Sequence, residues 1–237
     1  MKITPLLLIS AIALTSGNLW AASGRQDSIE RLQMSSDVLH SIMSAPDKGI
    51  PEEVMNGAKC IVVVPHLVKG GFVVGGEHGR GIASCRTADG WSAPAFVSVG
   101  GGSWGLQIGV EGIDLVMVVM NDRGLQHLLG DKFQLSGDAS ASAGPVGRHA
   151  SAGTDWKMTT EVLTYSRSHG IFAGITLDGA VVEQDADSTH AIYGGNPSFR
   201  AILSGNVRAP RSTLGFVQAV VETGRAGTIA EAAPVQQ

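Results

Sequence analysis

The chain has 237 residues, a formal net charge of -4 and a sequence pI near 5.9. This charge balance provides no overall attraction to polyanions, so the sequence predicts no nucleic-acid partner. Its 32 glycines are about twice the usual share. Their irregular spacing excludes a collagen-like repeat and favours tight turns and bulges.

The first segment is typical of a secretory signal. Lys2 supplies a positive charge, residues 5–14 are apolar, and Ala21, Ala22 and Ser23 provide a small-residue exit. The alternative is an uncleaved anchor, but the apolar stretch is shorter than the roughly 20 residues that span a bilayer. We therefore expect residues 1–22 to be removed and the protein to be exported, as a periplasmic or envelope-associated protein.

An amphipathic helix is predicted from Asp27 to Ala45, ending before Pro46. A second short helix follows, with Pro51 in its first turn and Gly57 as its stop. The apolar residues of the first helix recur at spacings of three, four and seven: Ile29, Leu32, Leu39, Ile42 and Met43.

Most of the remaining chain predicts strands, because apolar residues alternate between glycine-rich breaks, most clearly from Trp91 to Asn121. Asn121 or Asp122 is expected to cap a short helix through Leu129. The predicted strands lie near 60–64, 71–76, 81–86, 95–99, 105–111, 113–120, 159–166, 171–177 and 180–183.

Two closing helices are expected, at 197–203 and 213–222. The fold class predicted is therefore α+β, with a mainly antiparallel, glycine-rich twisted sheet, an N-terminal amphipathic helix and C-terminal helices. Residues 23–223 would form a single domain, and 224–237 a disordered tail.

The chain has two cysteines, Cys60 and Cys85. An even count in an exported chain permits a disulfide, and adjacent strands could bring the two together. The alternative, favoured equally, is that the two cysteines are buried thiols that behave as small apolar residues.

A catalytic centre is not expected. The Gly101–Gly105 segment matches the G-x-S-x-G elbow around Ser103, but a strand-like pattern follows it instead of a helix, and a hairpin turn explains the match. The seven histidines are scattered without the spacing of a metal pair. We predict a non-enzymatic protein with no catalytic residues, no metal and no cofactor, and keep a serine hydrolase as a distant alternative.

Three clusters place a cation beside glycines, whose backbone N–H groups can hold an anion. They contain Arg80, Arg148 and Arg167, the last followed by His169. The alternative for each is an ordinary solvated arginine at a strand end. If the fold brings two or three of these clusters together, a headgroup site becomes the favoured interpretation.

Several long segments resemble the SYLF family in the right order. They are GFVVGGEHGRGIAS, WSAPAFVSVGGGSWGLQIGVEGIDLVMVV, SAGPVGR, and YSRSHGIFAGITLDGAVV followed by YGG. Members of this family are lipid-binding domains of bacterial exported proteins and of eukaryotic membrane-trafficking and actin-associated proteins.

The resemblance implies binding of phospholipid or a membrane surface, with the amphipathic helix as the contact. Together with the cation–glycine clusters, it leads us to expect headgroup contacts from Arg80, Arg148, Arg167 or His169. Packing of that helix on its own core is the favoured alternative for its apolar face. A structural or envelope-interaction protein without lipid is the alternative function. Because of the export signal, actin is expected to be an implausible partner, and any protein partner stays unidentified.

Overall fold

A computed structural model describes residues 16–43, 49–130, 132–145, 160–168, 171–174, 177 and 179–230. Its helices are α1 (Ser16–Met43), α2 (Glu52–Gly57), α3 (Asp122–Leu128), α4 (Ala186–Tyr193), α5 (Phe199–Leu203) and α6 (Leu214–Ala230), with a 3-10 turn at Arg211–Thr213. Its strands are β1 (Cys60–Thr87), β2 (Gly90–Trp91), β3 (Ala95–Val119), β4 (Lys132–Gln134), β5 (Ala141–Ala143), β6 (Val162–Ser168), β7 (Ile171–Gly174) and β8 (Val181–Gln184).

The sheet is built on one long antiparallel hairpin. β1 pairs with β3 from Cys60 opposite Val119 to Ala83 opposite Ala95. β6 and β8 add to β3, while the short β5 runs parallel to β6. The predicted fold class is therefore confirmed: helices at both ends flank a mixed, mostly antiparallel, curled sheet.

β1 curls until its two ends meet. Cys60 and Cys85 form a disulfide, and the Arg86 amide donates to the Lys59 carbonyl at 2.7 Å. Of the two alternatives for the cysteines, the structure therefore has the bonded one. A register shift between Val64 and Leu67 accompanies the bend, and a bulge of this kind increases local twist.

Both faces of the curled sheet are covered, which explains the unbroken apolar run at the start of β1. Val62 and Val64 face an interior core that α3 and α5 help to fill. Ile61 and Val63 alternate with them and face a second core, formed with α1, α2, α4 and α6. The second core therefore joins the helices to the outside of the sheet.

The strand boundaries predicted within β1 and β3 are wrong. Residues 60–87 and 95–119 each form one continuous strand, so no hairpin turn lies at Gly101–Gly105. Glycine lets the backbones approach closely there: a Cβ on Gly101 would lie 3.0 Å from the Cα of Ala180. These glycines mark curvature and close contact instead of chain reversal.

Helix boundaries also differ from prediction. α1 begins at Ser16, before the predicted cleavage point, and α6 continues past Gly224 to Ala230. α4 was not predicted at all, although Asp185 caps it by accepting a hydrogen bond from the Ser188 amide. The Asn121 cap of α3 is confirmed, since its side chain accepts from the Gly124 amide.

Candidate functional site

The apolar face of α1 lies against the sheet. Leu32, Leu39 and Ile42 are fully buried in the outer core, and Ile29 is half-buried at its edge. The side chain of Met43 lies outside the described part of the structure. In this arrangement the α1 face covers the sheet, and it would have to leave the core before it could enter a membrane.

A charged cluster lies where α1 crosses α4 and the sheet. Arg31 donates from Nη1 to Asp185 Oδ2 at 3.0 Å and to the Ser188 hydroxyl at 3.1 Å. Arg80, on β1, approaches the same carboxylate oxygen at 4.0 Å from its Nε. We call Arg31, Arg80, Asp185 and Ser188 the Asp185 cluster.

The two arginines of the Asp185 cluster differ in exposure. The side chain of Arg31 is 7% exposed and lies over the Phe96 ring, whereas that of Arg80 is 57% exposed. Two cations share one carboxylate, so the cluster carries a net charge of about +1 at neutral pH. Arg80 is the member of the cluster that can reach an anion from solvent.

Protonation of the cluster is controlled by opposing effects. Burial alone would raise the pKa of Asp185, but hydrogen bonds from Ser188 and the charge of Arg31 outweigh it, and the pKa is lowered. Burial also lowers the pKa of Arg31, although Asp185 opposes this. Asp185 is therefore ionised at neutral pH, which keeps the pair with Arg31 intact.

The glycines around Arg80 have a packing role. A Cβ on Gly79 would lie 2.7 Å from Val64 Cγ1, and one on Gly81 would collide with the Val63 carbonyl. Both residues are paired with β3. Their missing side chains therefore let the two halves of β1 pack closely.

The other predicted cations lie elsewhere or outside the described residues. Arg167, on β6, lies directly across from Asp114 on β3, with Nη1 at 3.7 Å from Asp114 Oδ2. Asp114 also accepts from the His66 amide at 3.2 Å. Arg80 and Arg167 therefore pair with different carboxylates, while Arg148 and His169 lie outside the described residues.

Sequence reasoning missed two exposed arginines, Arg208 and Arg211, which precede α6. Neither has glycines on both sides, which was the pattern used to select Arg80. A better sequence signal is the absence of Asp and Glu from Ser188 to Val221. This stretch is therefore locally positive in a chain whose net charge is negative.

No group of His, Cys, Asp and Glu that could hold a metal occurs among the described residues. None of the helices they form is both long and apolar enough to cross a bilayer. Ser103 lies within β3, so the strand-to-helix turn that a nucleophile elbow needs is missing at this position.

Comparison with known proteins identifies the family. The profile described as "Ysc84: Las17-binding protein actin regulator" matches residues 100–223. The chain belongs to the Ysc84 (SYLF) family. The resemblance found in the sequence is thus confirmed.

Relatives occur in animals and fungi. Rat SH3 domain-containing YSC84-like protein 1 is 34% identical over 169 residues, covering 70% of this chain and 49% of the rat protein. Protein YSC84 of Saccharomyces cerevisiae is 33% identical, covering 69% and 36%. An SH3 domain-containing protein of Schizosaccharomyces pombe is 36% identical, covering 68% and 38%. The chain spans less than half the length of these relatives.

The expectation about actin is wrong for this family. The family is described as an actin regulator, and another Saccharomyces cerevisiae relative is named LAS seventeen-binding protein 3. That expectation rests on the predicted export signal alone, and such a segment would carry no information about the surface of the folded domain.

Proposed function

We propose that this chain is a non-enzymatic domain that binds an anionic phospholipid where α1 meets the sheet. The observation that carries the proposal is the convergence of Arg31 and Arg80 on the single carboxylate of Asp185. The cluster has one cation more than it has anions. A lipid phosphate would pair with the exposed guanidinium of Arg80.

Arg80 is suited to a phosphate. Its guanidinium presents several donors in a planar fork, and arginine binds phosphate oxygens through paired hydrogen bonds. Arg31 would hold Asp185 in place and leave the exposed face of Arg80 to the ligand. Apolar side chains at the edge of the outer core, Ile29 and Tyr193, would contact the acyl chain.

Export is part of the proposal. The apolar N-terminal segment of residues 5–14 supports it. The Cys60–Cys85 disulfide supports it independently, because disulfides persist in oxidising compartments such as the periplasm and are rare in the cytosol. Sequencing the N-terminus of the protein recovered from a bacterial periplasmic fraction tests this part: a start at Ser23 agrees, and a start at Met1 contradicts it.

A second candidate function is binding of a protein of the actin machinery. The family description and the names of the yeast relatives support it. Pelleting of the purified chain with filamentous actin would favour this candidate. Failure to pellet under conditions in which a known actin binder pellets would count against it.

Native mass spectrometry tests the lipid proposal. The chain is mixed with short-chain phosphatidylglycerol or phosphatidylcholine below their aggregation concentrations. We expect a one-to-one adduct with phosphatidylglycerol, weakened about fivefold by Arg80→Ala, since one basic contact to anionic lipid is worth about 1 kcal/mol. The matched control is Arg123→Ala, another exposed arginine paired with a buried carboxylate, Glu161. No adduct with either lipid would contradict the proposal and leave an envelope-interaction protein without lipid as the better account.

A further inference from the structure

We infer that Arg208, Arg211 and Leu214 form a docking surface for an anionic lipid bilayer. We call these three residues the Arg208–Leu214 surface. The inference rests on the proposed lipid-binding function and adds to it the part of the molecule that touches the membrane.

The first argument is that the described part of the structure places no counter-charge at the two arginines. Each of the other described arginine side chains has a partner within the chain, which is a carboxylate, a backbone carbonyl or a glutamine: Arg25, Arg31, Arg80, Arg86, Arg123, Arg167 and Arg200. Arg208 and Arg211 are exposed and, among the described residues, have neither an ion pair nor a side-chain hydrogen bond. Their charge is thus available to an external anion.

The second argument is the leucine beside them. Leu214 is 51% exposed, and among the large apolar side chains that the structure describes only it and Val68 are exposed to this degree. Its chain neighbour Gly215 is exposed too. In the sequence Leu214 follows Arg208 by six residues and Arg211 by three. An exposed apolar residue so close along the chain to two cations can enter the acyl boundary while the arginines remain at the phosphates.

The third argument is that the segment is held rigidly by its other side chains. Thr213 is fully buried and donates from its hydroxyl to the Pro210 carbonyl at 2.8 Å, and Phe216 is buried in the outer core. Before the arginines, Gly205 adopts a left-handed φ of 81°, and a Cβ there would lie 3.0 Å from Thr87 Cγ2. Because the segment is already ordered, binding loses little conformational entropy.

The size of the surface favours a bilayer over an acidic protein segment. A stable protein interface buries about 800 Å² on each partner around an apolar centre. A single leucine does not provide such a centre. A bilayer needs only weak, additive contacts of this kind, because many lipids surround each side chain.

Vesicle co-sedimentation with the full chain tests the inference. Vesicles contain phosphatidylcholine with or without phosphatidylglycerol. We expect Arg208→Ala/Arg211→Ala to weaken binding to the anionic vesicles about 25-fold, from about fivefold for each charge. The control is Lys59→Ala/Lys132→Ala, which removes the same charge from two exposed lysines that have acidic partners, Asp122 and Glu183. It should change binding by less than about twofold.

The outcomes separate this inference from the function on which it rests. If the unmodified chain binds, and Arg208→Ala/Arg211→Ala binds as strongly as the Lys59→Ala/Lys132→Ala control, the docking surface is refuted while lipid binding stands. If the unmodified chain binds no vesicle, lipid binding fails and the surface with it. If the arginine pair is needed only for retention on a polyglutamate column, the surface belongs to an acidic protein partner and the bilayer assignment is overturned.

Leu214→Asn separates the apolar contribution from the charge. We expect it to weaken binding that remains at high salt, where the arginine contribution is screened. Unchanged binding in high salt would remove the leucine from the surface. Thermal melting of each variant checks folding, and no loss is expected because all three side chains are exposed.

Discussion

At the scale of single residues, Asp185 has the greatest effect on the candidate site. It accepts from the Ser188 amide at the start of α4, from Arg31 of α1, and lies near Arg80 of β1. One carboxylate thus connects two helices and the sheet. Its loss would leave Arg31 buried without its counter-charge.

We predict that Asp185→Asn lowers the free energy of unfolding by about 3 kcal/mol at pH 7. Removing one partner of a buried ion pair leaves the other charge buried without its counter-charge. The measurement is urea unfolding followed by circular dichroism. Asp187→Asn, an exposed aspartate in the first turn of the same helix, should change it by less than about 0.5 kcal/mol. Equal effects of the two variants would show that the pair is not what stabilises this region.

The same carboxylate predicts a pH dependence. Its pKa in the folded protein is below the ordinary value, which is about 3.9 in an unfolded chain. Its contribution to stability is therefore complete above about pH 4 and is lost as the pH falls through the folded value. The free energy of unfolding, measured from pH 7 to pH 2, should depend less on pH below pH 4 in Asp185→Asn than in the unmodified chain. Parallel profiles would contradict this.

Side-chain partners mark the limit of what the sequence predicts at this scale. Arg80 was identified because it stands between two glycines. Its partner Asp185 and the other arginine of the cluster, Arg31, are distant along the chain, and only the fold places them together. Arg208 and Arg211 were missed because their significance depends on which acids are absent around them.

At the scale of elements, α1 covers the outer face of the sheet, and its burial is measurable. We predict that Leu39→Ala lowers the free energy of unfolding by about 3 kcal/mol, since Leu39 is fully buried and its loss leaves a cavity. Leu214→Ala, at a half-exposed leucine, is the control and should cost less than about 0.5 kcal/mol. A negligible cost for Leu39→Ala would mean that α1 is not docked on the sheet in solution.

The curled β1 strand is held by its disulfide. Cys60 and Cys85 are 25 residues apart, and closing a loop of this size stabilises the folded state by about 3 kcal/mol. We predict that dithiothreitol shifts the urea unfolding midpoint of the unmodified chain downward. Cys60→Ala/Cys85→Ala should already unfold at the lower midpoint and not respond to dithiothreitol. A chain insensitive to reduction would contradict the bond.

The sequence was a good guide to element type and a poor guide to where strands end. Apolar alternation identified strand residues in β1 and β3 correctly. Glycines were interpreted as breaks, yet Gly79, Gly81 and Gly101 lie inside strands, where their missing Cβ lets backbones touch. Periodicity describes one strand at a time, whereas this use of glycine depends on a neighbour in space.

At the scale of the whole molecule, the curled sheet has an interior core and an outer core that the helices complete. α1 contacts both α6 and the 3-10 turn that carries Arg211. Arg211 therefore lies on an element that packs against α1, the helix that also supplies Arg31 to the Asp185 cluster. This arrangement is compatible with a domain that meets a bilayer through its helical side and holds one lipid headgroup at Arg80.

The measurement that tests the central claim most directly is co-sedimentation of the unmodified chain with vesicles of increasing phosphatidylglycerol content, at low and at high salt. We predict binding that rises with anionic lipid and weakens in high salt, because exposed cations are screened beyond about 10 Å at 0.1 M ionic strength. Absence of binding at every composition would contradict lipid recognition and leave an interaction with a protein partner as the better account.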